Sequence, residues 1–154
     1  MPENYKHIDL AYLESITDGS KEIIAELITI FIEQIPEFTQ DFEDGLSQKD
    51  WKKVASAAHK AKSSVLSMGI NELGNVDLKN LELVAKQMLL DRILEEGETS
   101  SEADQLRKTL ESYPEDKREW IAANKNEEVL KQLIDKFNYI VEEAVKELNQ
   151  VLEN

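Results

Sequence analysis

His59 is one of only two histidines in the chain, and its surroundings suit a nucleophile that something large can approach. It lies in DWKKVASAAHKAKSSVLSMG, Asp50 to Gly69, with Lys62 three residues on and Ser63 beside that lysine. Imidazole has an ordinary pKa of about 6.5, so near pH 7 a typical ring is largely neutral and one nitrogen is a free nucleophile. On a helix, a lysine at i+3 is a neighbour that sets a positive charge one turn from the ring. The plain alternative is a histidine at the edge of a core with lysines on a solvated face. The other histidine, His7, falls in the polar lead MPENYKHIDL and reads as incidental.

The segment carrying His59 reads as one helix. Asp50 is a capping residue, Gly69 a terminator, and neither Gly nor Pro interrupts the run. With Trp51 at zero and about 100° per residue, Val54, Ala58, Ala61 and Val65 gather within a stripe at about 280 to 340°. His59 falls near 80°, off that stripe, in line with Lys52, Ser63 and Ser56 at about 100, 120 and 140°. A ring so placed, with small residues a turn to either side, can be approached by something large. Trp51 reads as a core anchor.

His59, Lys62, Ser63 and Gly69 resemble the signature of histidine-containing phosphotransfer domains: a His, a Lys three on, a small residue next, and a Gly ten after the His. The small residue is usually Gly in that family and is Ser63 in this chain. The text before it, IDLAYLESITDGSKEIIAELITIFIEQIPEFTQDFEDGLSQKDW, is similar to the family's usual lead-in. The resemblance covers roughly residues 8 to 90, and the last helix more loosely. It implies an antiparallel four-helix bundle whose exposed histidine carries phosphoryl groups through Nε2 between receiver domains, or from a hybrid sensor histidine kinase to a response regulator. On that resemblance His59 is the phosphoacceptor and Lys62 stabilises the phosphoryl group. Lys60, Ser63, Ser56, Lys52 and Gly69 belong to the binding surface, and the partner receiver supplies Mg²⁺. The chain is then a carrier without kinase activity or a cofactor of its own.

Composition sets bounds around this reading. At 154 residues, 41 % hydrophobic, with five Gly and three Pro, the chain reads as one helical domain with a real core. No apolar run approaches the ~20 residues that span a bilayer, and the start has no signal-peptide character. The absence of cysteine fits a reducing compartment, so a cytoplasmic location is expected, and separately a monomer. A net charge of −14 disfavours nucleic acid and anionic membrane as partners. Against that background Lys49, Lys52, Lys53, Lys60 and Lys62 form a basic island with one acid, Asp50, among them. The two histidines show no metal-ligand spacing, and no GxGxxG, GxxxxGK or GxSxG motif occurs.

No strand-type alternation appears, so the elements are helices. Asp9–Ile16 forms a short one, stopped at Thr17-Asp18-Gly19. Ser20 caps the next, with Ile23, Ile24, Leu27, Ile28, Phe31 and Ile35 on its buried face, and Pro36 breaks or kinks it. Phe38, Phe42 and Leu46 resume the pattern. After Gly69, Asn71 caps a helix reaching Leu94, with Leu73, Val76, Leu81, Val84 and Met88 inward, and Gly74 weakens its first turn by about 1 kcal/mol. Glu95–Asp104 reads as a polar loop, Gln105–Asn124 as helical fragments divided at Tyr113-Pro114, and Asn126–Glu153 as a long final helix. The bundle then comprises about residues 8–90 and 126–153. Residues 91–125 are an insertion expected to decorate the end remote from His59, and a Gly/Ser linker in place of Gly97 to Tyr113 is expected to leave a helical protein that still accepts phosphate on His59. Two other functions compete: a helical adaptor that never carries phosphate, and a phosphoacceptor charged directly by a separate chemotaxis-type kinase. Domains of the latter kind use a Glu on the following helix to activate the His, for which Glu72 and Glu82 are candidates.

Overall fold

The computed structural model describes residues 5–97 and 100–154. Seven α-helices follow in order: α1 (Ala11–Thr17), α2 (Lys21–Ser47), α3 (Trp51–Ser67), α4 (Lys79–Glu95), α5 (Ser101–Glu111), α6 (Glu115–Asn124) and α7 (Glu127–Glu153). A π-helical segment, Leu73–Leu78, leads directly into α4. Local chemistry sets the starts. Ser20, Asp50, Ser100 and Asn126 each accept a hydrogen bond from a backbone N–H three residues on, satisfying a donor the first turn leaves free.

Contacts at the helix ends define the bundle. Arg92, late in α4, donates to the Lys49 carbonyl in the α2–α3 turn at 2.6 Å, and Lys49 pairs with Glu127 at the start of α7. At the opposite end, Asp9 N–H donates to the Met68 carbonyl, and Glu147 near the end of α7 accepts from the N–H groups of His7 and Ile8. Thus α2 and α4 run one way and α3 and α7 the other, an antiparallel four-helix bundle preceded by short α1. Its core holds Ile28, Phe42, Val54, Ala58, Ala61, Val65, Leu81, Val84, Phe137 and Leu148, with Phe42 and Phe137 in edge-to-face contact at 5.2 Å. No helix among the described residues is long and apolar enough to cross a membrane.

Several details depart from periodicity. α2 continues through Pro36, which lies on its exposed side. The one N–H that proline removes is outweighed by Phe31, Phe38 and Phe42, all buried on the opposite face. Ile23 is 46 % exposed because its neighbour Ile24 occupies the inward position. Asn71 does not cap a helix but already lies inside one. Val76 points outward because π-helical winding takes more residues per turn, turning Asp77 and Leu78 inward instead. There Asp77 meets Lys136 of α7 at 3.0 Å. Gly74 does more than weaken a turn. A Cβ on it would collide with the side chain of Leu66, so its absence lets this segment lie directly on α3.

The insertion does not sit at an end remote from His59: its Lys117 bonds Asn80, two residues before the Glu82 that touches His59. The expected polar loop shrinks because Ser100 starts α5; Glu98 and Thr99 of that stretch lie outside the described residues. α5 and α6 pack along α4, where Leu83, Leu90 and Ile93 form a second core with Ala103, Leu110 and Ile121. One side of α4 therefore faces the bundle (Leu81, Val84, Ala85) and another faces the insertion, leaving little of it to solvent. Trp120, half-buried, touches both cores.

Candidate functional site

His59 stands midway along α3 with 66 % of its side chain exposed. The buried stripe of α3 (Trp51, Val54, Ala58, Ala61, Val65) fixes the rotation of the helix, so the ring must face outward. Ser56, Lys60, Ser63 and Lys52 share the exposed face with it. The small Ser56 and Ser63 leave the ring open from above and below.

Beneath the ring lies Glu82 of α4. Its carboxylate oxygens are 3.3 and 3.4 Å from His59 Nδ1, 3.4 Å from Lys62 Nζ and 2.7 Å from Lys86 Nζ. The Glu82 side chain is only 7 % exposed, while Lys62 and Lys86 keep 26 % and 27 %. Burial works against its charge, but the hydrogen bond from Lys86 and the charges of Lys86, Lys62 and His59 prevail and hold its pKa below the ordinary carboxylate value. An ionised carboxylate only accepts, so the tautomer that this contact favours carries its N–H on Nδ1 and its lone pair on Nε2. At 3.3 to 3.4 Å the contact is long for a hydrogen bond and orients the ring mainly by charge.

Lys62 is brought to His59, but through shared Glu82 rather than on the open face. The basic island is less basic in space than in sequence, because acids from other elements meet it. Lys49 pairs with Glu127, Lys52 with Glu102 at 2.7 Å, Lys53 with Asp44, and Lys62 with Glu82. Among the described residues Lys60 has no ion pair and is the free cation beside the ring. Lys52 holds a raised pKa through its bond to Glu102. Gly69 lies at the far end of α3, ten residues or about 15 Å along the axis from His59. Its φ is +75°, and the Asp9 backbone occupies the place a Cβ would take. Gly69 therefore serves the fold, letting the N-terminal segment pass across the end of α3.

Two residues of the cluster, Glu82 and Lys86, are only partly visible in the sequence or not at all. Glu82 is one of two candidates there and Glu72 the other; Glu72 is exposed on the turn before the π segment. The i,i+4 spacing of Glu82 and Lys86 is the available sign of a pair. Among the described residues no three His, Asp or Glu are grouped to hold a metal ion.

A family model described as Hpt domain matches residues 26–151, from the second turn of α2 to the end of α7 and across the insertion. No curated protein and no solved structure matches the chain.

Proposed function

Since the chain belongs to the Hpt domain family, with its histidine phosphotransfer role, we propose that His59 accepts a phosphoryl group from a receiver domain's aspartyl phosphate and passes it to another receiver. The observation that carries this reading is the exposed ring whose Nδ1 lies 3.3 Å from a buried, ionised Glu82. In the forward step the Nε2 lone pair attacks phosphorus in line, the N–P bond forms, and the acyl O–P bond breaks, releasing the aspartate carboxylate. The ring gains positive charge as the bond forms, and Glu82 stabilises it. Lys62 and Lys60 offer positive charge to the phosphoryl oxygens. The receiver supplies Mg²⁺, and the chain itself acts as carrier rather than kinase.

The same Glu82 contact favours a second reading, in which a separate chemotaxis-type kinase charges His59 directly from ATP. The donor decides between them. Phosphorylated receiver plus Mg²⁺ should label wild-type protein and leave His59→Gln unlabelled. Labelling only by an ATP-bound kinase domain would select the second reading, and labelling by neither would leave a helical adaptor.

A further inference from the structure

Two lysines stand together where the insertion meets the bundle. Lys79 opens α4, Lys117 lies in the first turn of α6, and both are half-buried. Lys117 Nζ donates to Asn80 Oδ1 and lies 4.5 Å from the Trp120 ring centroid; Lys79 Nζ lies 5.3 Å from that of Tyr113. Among the described residues neither ammonium has a carboxylate within ion-pair distance, unlike Lys62 and Lys86, which both pair with Glu82 one turn along α4 from Lys79. Burial and the charge of Lys79 lower the pKa of Lys117, with Asp116 opposing them. Like charges held together over aromatic faces in a strongly acidic protein are stabilised when an anion shares them.

Their location narrows the anion. Lys79 precedes Glu82 by one turn, and Glu82 touches both His59 and Lys62. Because α3 and α4 are antiparallel, Lys79 lies toward the Lys62–Ser63 end of the site. Both lysines keep part of their surface exposed, and Lys79 stands one turn from the Glu82 that touches His59, so a protein large enough to cover His59 can bring carboxylates to them. We propose that Lys79 and Lys117 form an edge of the docking face, built by the insertion, that receives acidic side chains of the protein exchanging phosphoryl with His59. The proposal rests on the phosphotransfer reading, and it gives the insertion a part in choosing partners.

The test uses the full chain charged on His59 with phosphoramidate, a small donor that needs no docking surface. Loss of label to a Mg²⁺-loaded receiver domain that drains the wild type is then followed against receiver concentration. Lys117→Glu should raise KM on the order of fivefold with kcat within about twofold, and Lys79→Gln should raise it by a smaller factor. Lys108→Glu, the same change of charge at an exposed α5 lysine with no ion pair among the described residues, should leave KM alone. Equal effects of Lys117→Glu and Lys108→Glu, or an unchanged KM in both Lys117→Glu and Lys79→Gln, would overturn the proposal. So would millimolar inorganic phosphate that saturates a shift of the Trp120 indole N–H without competing with the receiver, because the pair would then be a small-anion site. Failure of phosphoramidate to label wild-type His59 would overturn the phosphotransfer reading as well, and shows itself before any receiver is added.

Discussion

Glu82→Gln is the sharpest perturbation of the site, because it keeps shape and removes only charge. The carboxylate accepts one short bond from Lys86 at 2.7 Å and holds His59 and Lys62 at 3.3 to 3.4 Å. A charge-assisted bond contributes about 1.5–3 kcal/mol, but the variant no longer buries a carboxylate, and both lysines can turn to water. The net cost should be about 1–2 kcal/mol, a fall in Tm of roughly 2–8 °C for a chain of this size. The pH dependence has a definite sign. Glu82 has a lowered pKa in the folded protein, so its contribution is complete above the ordinary value of 4.5 and is lost as pH falls through the lower folded value. The Tm gap between wild type and variant should therefore be full at pH 7 and narrow below pH 4.5. Charging of His59 by a phosphorylated receiver, followed by rapid quench, should slow about fivefold as the ring loses its counter-charge, equivalent to about 1 kcal/mol. An unchanged rate together with a pH-independent Tm gap would refute the role given to Glu82.

Lys62→Ala should slow transfer by about tenfold, or about 1.4 kcal/mol, with helicity by circular dichroism unchanged. Gly69→Ala places a side chain at φ +75° against the Asp9 backbone, so thermal melting should show a loss of at least about 2 kcal/mol, while transfer per folded molecule stays the same. Replacing residues 97–113 with a Gly/Ser linker removes α5 and uncovers Leu83, Leu90 and Ile93. At about 1.5–3 kcal/mol for each buried side chain, that loss rivals the whole stability of a domain, so denaturant unfolding should lose its cooperativity.

The bundle was legible in the sequence because its signals are local and redundant. Ser20, Asp50 and Asn126 announce helix starts by their own side chains, and the stripe of α3 alone dictates that His59 faces out. What escaped depends on contacts between distant residues or on winding. Neither Val76 nor Asp77 carries a mark of π-helical geometry, and an α-period places the wrong one inside. Glu82 could not be chosen over Glu72 because the choice rests on how α4 is rotated against α3, which Leu81, Val84 and the second core decide together. The lysine island misled for a similar reason: Glu102 and Glu127 are 50 and 78 residues from the lysines they neutralise. The insertion looked peripheral because its few apolar residues are spaced for a partner helix, and only packing shows that this partner is α4.

The central claim is that phosphorus resides on Nε2 of His59 while Nδ1 keeps its proton toward Glu82. Long-range ¹H–¹⁵N and ³¹P spectra of the full chain, recorded after charging by a phosphorylated receiver, test it directly. The expected result is one phosphohistidine, coupled to Nε2 of His59 and missing from His59→Gln. Phosphorus on Nδ1 of His59, or on His7, would contradict it.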